Sequence, residues 1–503
     1  MSWTGRRAVS GVAVLRWAIV LGLLLVAVTA DARVGGGQTF SSGGGGYSGG
    51  GGGGGMDGEL LLFVLELAIR YPRVGVPMLG ILVVFVVGRH LLGERVQRKV
   101  FGRKGRALDS PLRSAQREVP GLAQLRRDDP AFSATALTEF VVLLHRRVIE
   151  AAQTGVWGPI SHLVQASVQA KLRRQSHPVS EVVVGSVDMV SVQRQSQFTV
   201  VTVQCTSTRL LGGPQPQRML TTEVWSLRRR RDCASLPPED LTRLGCPACG
   251  VSIETTTMGA CPNCDTAITS GQLNWELFQV QVVSQKPVQP PETKQLVKGE
   301  EDSVHYPSVL QSGLGAHLRS FQARHPDFSM EDFGVRVQGI YLGLQDAWSR
   351  GRWGEVRPWV TDSLYQSLRF WIEAYTAHGL RNELRDVRLN RMQVVRVAPD
   401  AWYETVTVRI WGQMKDTVVD RKGKVVGGDA TRDRVFSEYW TFIRSSGSGG
   451  HASAPDRCPS CSGPLDQVSQ AGECGYCGSI ITSGTFDWVL SRIDQAATYT
   501  PPL

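Results

Sequence analysis

The sequence of 503 residues predicts an α+β protein with two similar domains, each followed by a four-cysteine metal site, behind an N-terminal membrane segment. Three observations lead to this prediction. One pattern of helical and strand periodicity occurs twice, eight of the ten cysteines form two CxxC quartets, and two apolar runs lie near the N-terminus. The chain is also longer than the about 250–300 residues at which a single hydrophobic core stops growing, so more than one domain is expected.

The N-terminal segment 1–32 has the pattern of a secretory signal peptide. Arg6, Arg7 and Arg16 precede or interrupt an apolar run, and small residues follow at positions suited to cleavage. An uncleaved first membrane helix is the alternative, and an organellar transit peptide fits less well because the apolar run is so continuous. Residues 33–58 are mostly glycine and predict a flexible linker.

A membrane segment is predicted over 59–92, with the span itself at 74–92. That span has 19 residues, close to the about 20 that a helix needs to cross the hydrocarbon layer. The basic juxtamembrane region 93–127 follows, and by the positive-inside rule this flank lies in the cytosol. The bases at and after the end of the span, which are also candidates for contact with anionic lipid, are Arg89, Arg95, Arg98, Lys99, Arg103, Lys104 and Arg106.

We therefore expect a protein of the cell inner membrane with one or two spans and with cytoplasmic C-terminal domains. A cleaved signal followed by one span gives this topology, and so does an uncleaved first helix followed by a second span. A re-entrant hairpin over 60–92 would instead leave the remainder outside.

The duplication appears when the chain is compared with itself at a shift of 196 residues, which places Ser133 on Ser329. The two stretches then align without a gap. Apolar positions agree at helical spacing. The matching pairs are Leu137/Phe333, Val141/Val337, Leu144/Ile340 and Val148/Leu344, with Pro130/Pro326, Phe132/Phe328, Gly155/Gly351, Trp157/Trp353 and Gly158/Gly354 around them.

Strand patterns follow the helices in both copies. Apolar and polar residues alternate over Val201–Cys205 and Val406–Ile410, and a Glu-x-Trp motif ends each sheet at Glu223 and Glu438. Helices followed by an antiparallel sheet indicate an α+β domain. The predicted domains are 128–232 and 321–445, with a linker at 284–320.

The cysteine quartets predict two metal-binding sites that hold the chain together. They are Cys246, Cys249, Cys261 and Cys264 in one segment, and Cys458, Cys461, Cys474 and Cys477 in the other. Two CxxC turns separated by 11 or 12 residues are typical of zinc ribbons. We expect ribbons at 241–283 and 455–493 that hold two structural Zn²⁺ per chain, with iron in a rubredoxin-like site as the rival metal.

Nucleic acid is not an expected partner, although the formal charge is +10. Neutralising phosphate requires Lys or Arg close to the backbone. Neither occurs between Cys246 and Gln285 or between Cys458 and Ser491, where the charged residues are acidic. The ribbons are therefore expected to be structural clips or protein docking surfaces, and the strand after each one, with Trp275 or Trp488, is expected to pack on its own domain.

The stretch that begins HPDFSMEDFGVRVQGIYLGLQDAWSRGRWGEV resembles the domain of the inner-membrane translocase subunit-44-like family. The resemblance covers 325–445 and, more weakly, 129–230, which implies tandem copies each followed by a zinc ribbon. It implies a cone-shaped fold similar to nuclear transport factor 2, with helices on a curved sheet and an apolar hollow. The signal, glycine-rich spacer and membrane segment are similar to those of bacterial members. The zinc sites, duplication and span are absent from the mitochondrial pattern, so import-motor tethering is not expected.

The favoured function is a membrane-anchored, non-enzymatic scaffold that binds protein or lipid, with a role in transport or envelope biogenesis. The alternative is a small-molecule sensor or enzyme that uses the apolar hollow. Its candidate residues are His145, Tyr341, Asp346, His378 and Tyr403, although no spacing pairs them. A phosphate-binding glycine loop, GxSxG and HExxH are all absent from the sequence.

Overall fold

The structure is a computed structural model, and the part of the chain that it describes starts at residue 119. The described residues are 119–175, 178–212, 216–241, 246, 249, 251, 261, 263–266, 274–288, 299–447, 457–458, 461–464, 474–477, 482, 484, 487–497, 499 and 501. The predicted signal, glycine-rich linker, membrane span and basic juxtamembrane cluster lie outside this part. Within the described ranges, no helix is long and apolar enough to cross a bilayer.

The first half contains three helices and a four-stranded sheet. The helices are α1 (Leu122–Asp128), α2 (Ala134–Thr154) and α3 (Ala166–Gln175). The strands are β1 (Val179–Arg194), β2 (Phe198–Leu211), β3 (Gln217–Arg230) and β4 (Glu276–Pro287), paired in that order and all antiparallel. A helical turn at Pro238–Leu241 precedes the first cysteine segment.

The second half repeats this order of elements. Its helices are α4 (Leu314–Arg324), α5 (Met330–Arg350) and α6 (Asp362–Ala377). Its strands are β5 (Leu380–Val397), β6 (Tyr403–Asp420), β7 (Val425–Ser445) and β8 (Val489–Gln495), again antiparallel in chain order. The prediction of an α+β protein with two antiparallel sheets is confirmed.

The long helices α2 and α5 start and end at equivalent residues because their sequences carry the same signals. Ser133 and Ser329 accept hydrogen bonds from main-chain N–H groups three residues later, each at 3.1 Å. Gly155 and Gly351 end the helices with φ of 78° and 68°, a left-handed conformation that favours glycine. The four predicted apolar pairs between these caps are all buried.

The fourth strand of each sheet comes from the far side of a cysteine segment. β4 pairs with β3, and β8 pairs with β7. Trp275 and Trp488 stand immediately before these strands, and each is almost fully buried in the core of its own half. Trp488 packs against Phe321, Phe328 and Phe333. The predicted packing of each tryptophan on its own domain is therefore confirmed.

Part of the segment expected to be a linker lies against the second sheet. Gly299–Gln311 is fixed there by two arginines that project from the strands. Arg434, 2% exposed, pairs with Glu301 and Asp416 at 2.8 Å each. Arg409 donates to the carbonyl oxygens of Tyr306 and Ser303. Buried arginines need such partners, because an unpaired buried charge is costly.

The two halves pack on each other, with α6 of the second half lying on β1 of the first. Glu139 of α2 accepts hydrogen bonds from the main-chain N–H of Ser363 at 3.0 Å and from its hydroxyl, so it caps the N-terminus of α6. Trp402 donates from its indole nitrogen to the carbonyl of Ala131 at 2.7 Å. One apolar cluster also spans both halves.

The matched caps of α2 and α5 give a direct test of the contact between halves. The hydroxyl of Ser133 also donates to Asp400 of the second half at 2.6 Å. Among the described residues, Ser329 makes the cap hydrogen bond but no equivalent contact with the other half. We expect Ser329→Ala to lower the unfolding free energy by about 1 kcal/mol through the lost cap. Ser133→Ala should cost about 1 kcal/mol more, because it also removes the bond to the partly buried carboxylate of Asp400. Urea denaturation measures both variants, and equal losses would contradict the proposed role of Asp400.

Candidate functional site

The first cysteine quartet converges on one point. The Sγ atoms of Cys246 and Cys264 lie 3.7 Å apart, and those of Cys249 and Cys261 lie 3.6 Å apart. All four sulfurs lie within 4.8 Å of one another. The structure thus joins two CxxC turns that are separated by 11 residues in the sequence.

The second quartet has the same geometry. The distance between sulfurs is 3.8 Å for Cys458 and Cys477 and 3.9 Å for Cys461 and Cys474. In both quartets the first cysteine of each CxxC is buried and the second is exposed. Each cluster therefore lies at the surface of its half, with one side closed by protein.

These distances fit a tetrahedral metal ion held by four thiolates. A metal–sulfur bond of about 2.3 Å gives a tetrahedron whose edges are about 3.8 Å. A disulfide would instead require sulfurs about 2.05 Å apart, and none of the ten cysteines, all of which the structure describes, is in a disulfide. The eight cysteines therefore form two clusters that can each hold one metal ion.

Main-chain N–H groups of the CxxC turns point at the exposed sulfurs. The N–H of Val251 and the side chain of Asn263 lower the pKa of Cys249 to about 6. At Cys461 the N–H of Gly463 also lowers the pKa, but burial and the neighbouring sulfurs outweigh it and raise the pKa to about 12. A bound cation would have to displace the remaining protons, so metal affinity should rise with pH.

A buried polar network lies in the core of the first half and links α2 to β2 and β3. His145 donates from Nε2 to Glu223 at 3.1 Å, and Arg209 donates to the same carboxylate oxygen at 2.5 Å. The indole of Trp225 donates to it at 3.3 Å and stacks on the His145 ring. Burial alone would raise the pKa of Glu223, but the bond from His145 and the charge of Arg209 lower it to about 2.

The second half has the same contact between the Glu and Trp of the Glu-x-Trp motif, but the residues around it differ. Trp440 donates to Glu438 at 3.0 Å, as Trp225 does to Glu223, and Gln495 donates to the other carboxylate oxygen at 2.9 Å. Tyr341 occupies the position of His145 and donates to the carbonyl of Arg388. The repeated Glu-x-Trp motif was the sequence signal for this pair. Nothing in the sequence spacing predicted that Arg209 would join it.

Three other candidate residues lie apart from these networks. Asp346 is on the exposed face of α5, where it pairs with Arg350 at 2.9 Å. His378 ends α6, and its Nδ1 contacts the carbonyl of Ala374 at 2.8 Å. Tyr403 is buried where the two halves meet. The structure does not bring these three together with His145 or Tyr341 in one site.

The basic run at the end of β3 is largely neutralised within the protein. Arg228 pairs with Glu276, Arg229 with Asp129, and Arg230 with Asp232. Arg231 donates to the carbonyls of Gln195 and Ser196. This run therefore contributes little free positive charge for anionic lipid.

Large aromatic side chains are buried in the interior of the second half, where the apolar hollow was expected. Tyr341, Phe436 and Trp440 are each fully buried there and pack against the helices and the sheet. A cavity of about 480 Å³ lies instead between the two halves. Its lining comes from α1, α2, β1 and α6 and from the second sheet.

Metal content tests the two clusters. We expect the purified protein to bind two metal ions per chain, because each quartet supplies four thiolates. Cys261→Ser and Cys474→Ser should each leave about one ion per chain, since a cluster with three thiolates binds far more weakly. Cys233→Ser, which lies outside the clusters, is the matched control and should leave two. Native mass spectrometry measures the count, and an unchanged count in either cluster variant would contradict the assignment.

Acid sensitivity tests the buried His145. Burial lowers its pKa below the ordinary 6.5, because protonation would add an N–H at Nδ1, which has no hydrogen-bond partner among the described residues. The unfolded state therefore binds this proton more readily, so the stabilisation is present above pH about 6.5 and is lost as the pH falls. We expect His145→Gln to reduce the decrease in unfolding free energy between about pH 7 and 5.

Urea denaturation at several pH values measures this effect. The difference in unfolding free energy between the variant and the parent chain at about pH 8, where His145 is neutral in both states, reports only the change in packing. Asp188 contributes the opposite slope, because burial raises its pKa to about 6. That contribution is common to both proteins and cancels in the difference. Parallel pH profiles for the variant and the parent chain would contradict the role of His145.

A search of curated proteins gave no match. A family model described as the Tim44-like domain matches residues 314–452, which contain α4–α6 and β5–β7. That domain has a fold similar to nuclear transport factor 2, in agreement with helices packed on an antiparallel sheet. Residues 314–452 of the second half are therefore similar to the Tim44-like domain.

Proposed function

We propose that the protein is a membrane-anchored, non-enzymatic scaffold whose two α+β domains bind a protein partner on the cytoplasmic side of an inner membrane. The observation that carries the proposal is that large side chains are buried at the centre of both halves. Tyr341 and Trp440 are buried in the second half, and His145 and Trp225 are buried in the first. Binding by such domains uses their outer surfaces, in agreement with the scaffold role that the Tim44-like domain suggests.

We infer that the first half is a second copy of the same domain. The support is structural, because the order of helices and strands is repeated and the equivalent serines and glycines cap equivalent helices. The family model matches the second half alone. Two copies would offer two related surfaces to one partner or to two.

We propose that the metal in each cluster is Zn²⁺ and that its role is structural. Four thiolates satisfy the tetrahedral preference of zinc and leave no position for water, so the ion would hold the chain in place without activating a substrate. Iron in a rubredoxin-like site is the competing assignment. Elemental analysis of the purified protein distinguishes the two.

The cytoplasmic placement is supported by the sequence and by the thiols. The predicted span at 74–92 contains Arg89 near its end and is followed, up to residue 106, by six further bases and one acid, Glu94. Free thiols are maintained in the reducing cytosol, whereas an oxidising compartment favours disulfides. The same basic flank would attract anionic lipid, which makes lipid a second partner of the scaffold.

A small-molecule binding function is the second candidate, and one observation favours it. The cavity between the halves has the volume of a typical ligand pocket, and such pockets are frequent between domains. This candidate differs from the predicted use of an apolar hollow, because the cavity is formed by both halves together.

Membrane attachment and topology test the scaffold proposal. We expect the full-length protein to stay in the membrane fraction after alkaline carbonate washing, and a chain without residues 1–106 to be released. A fluorescent reporter inserted after residue 110 should be active in the cytosol, and a periplasm-dependent phosphatase at the same place should be inactive. Fusing residues 1–106 to an unrelated soluble protein is the control and should carry it to the membrane.

An active phosphatase with a silent fluorescent reporter would overturn the cytoplasmic placement. Partner identity requires a separate measurement, namely crosslinking of the full-length protein in its own membrane. A partner that crosslinks to the full-length protein but not to the chain without residues 1–106 would show that anchoring is needed for binding.

A further inference from the structure

The cavity between the two halves is lined by several ionisable side chains, and most of them are engaged within the protein. Glu139 accepts from the main chain and hydroxyl of Ser363. Asp400 accepts from the Ser133 hydroxyl at 2.6 Å and from two main-chain N–H groups. Arg492 donates to Asp494 at 2.8 and 2.9 Å. These groups hold the two halves and the second sheet together.

Arg126 and Arg396 are the two lining cations for which the described residues show no ion pair. Arg126 ends α1 in the first half, and Arg396 belongs to β5 in the second half. The Nε atom of Arg396 is buried and has no hydrogen-bond partner among the described residues. A buried donor without a partner is destabilising, and a bound acceptor would satisfy it.

The two guanidinium groups also repel each other. Burial lowers the pKa of Arg396, Tyr499 partly opposes this shift, and the nearby charge of Arg126 adds a smaller contribution that lowers the pKa. An anion between them would replace this repulsion with two attractions. The planar guanidinium matches the oxygens of a phosphate or a carboxylate, and such charge-assisted bonds are among the strongest that proteins make.

The remaining lining suits a ligand that is small and partly polar. The hydroxyls of Ser367 and Thr405 and the apolar side chains of Leu368 and Ile493 face the same space. Asp188 lies on the β1 side, where it accepts from Ser186 at 3.1 Å, and burial raises its pKa to about 6. This carboxyl is therefore less repulsive toward an anion at slightly acidic pH than an ordinary aspartate.

We propose that the cavity between the halves is a binding site for a small oxyanion, a phosphate or carboxylate group, held between Arg126 and Arg396. The ligand bridges the two halves, because each supplies one of the arginines. Its binding therefore stabilises their association by mass action. This site depends on the packing of the two halves and is independent of the proposed scaffold function.

Inorganic phosphate is the first probe, added to the purified full-length protein at constant ionic strength against chloride. We expect saturable binding in calorimetry and a thermal midpoint that rises with phosphate concentration. Arg396→Gln should weaken this binding roughly tenfold to hundredfold. Arg126→Gln, on the exposed end of α1, should weaken it in the same direction and guards against a folding defect in the buried variant.

Arg319→Gln is the matched control, because Arg319 is exposed on α4 and the substitution removes the same charge. It should bind phosphate as the parent chain does. Equal binding by all four proteins, or no saturable binding of phosphate or citrate by the parent chain, would overturn the proposal.

A lipid arm separates the two sources of the oxyanion. Because the predicted anchor would itself hold the full-length protein in vesicles, phosphatidylglycerol is added to the protein in detergent micelles. If a lipid headgroup is the natural ligand, phosphatidylglycerol should compete with phosphate in a manner that depends on Arg396. If the ligand is a free anion, phosphatidylglycerol binding should be the same for Arg396→Gln and Arg319→Gln, while phosphate binding still differs between them. The scaffold proposal is tested by topology and crosslinking, so its failure would be distinguishable from failure at this site.

Discussion

Each sheet is completed by a strand that returns to it across a four-cysteine cluster. About 45 residues separate the end of β3 from the start of β4, and a similar stretch separates β7 from β8. Closing such a loop costs conformational entropy before the strand gains its contacts. A metal ion held on four sulfurs that lie within 4.8 Å would shorten the free loop, so its binding would contribute to folding of the sheet. Trp275 and Trp488 then secure the returning strands in the two cores.

The same arrangement of helices and strands accommodates different buried side chains in the two halves. Around equivalent Glu-x-Trp pairs, the first half has the ionic group of His145 and Arg209, whereas the second has Tyr341 and Met414. The fold therefore depends on the capped helices, the apolar positions and the returning strand, more than on the polar centre. A buried ionic group adds little net stability when all its members are paired, but it is costly when one is removed. The centre of the first half, around Glu223, is for this reason more sensitive to a change in protonation than the equivalent centre around Glu438.

The features that sequence predicted well are those encoded locally. Helix caps at Ser133 and Ser329, apolar spacing within α2 and α5, and the CxxC turns all depend on residues close in the chain. The interior arginines and the packing of the halves could not be predicted in the same way. Glu139 and Ser363 are 224 residues apart, so no periodicity links them. The run that ends β3 illustrates the same limit, because its apparent basic patch is neutralised by Asp129 and Glu276, which are distant in sequence.

The contact between the halves contains hydrogen bonds and ion pairs beside its apolar cluster. A carboxylate caps a helix across it, Arg218 pairs with Glu373 at 3.0 Å, and Arg146 approaches Asp362 at 3.7 Å. Such pairs favour one relative placement of the halves, since a shifted placement would leave buried charges without partners. They add less net stability than an apolar interface of the same size would. The apolar cluster that spans both halves therefore supplies much of the attraction, while the ion pairs determine the geometry in which Arg126 and Arg396 face the same cavity.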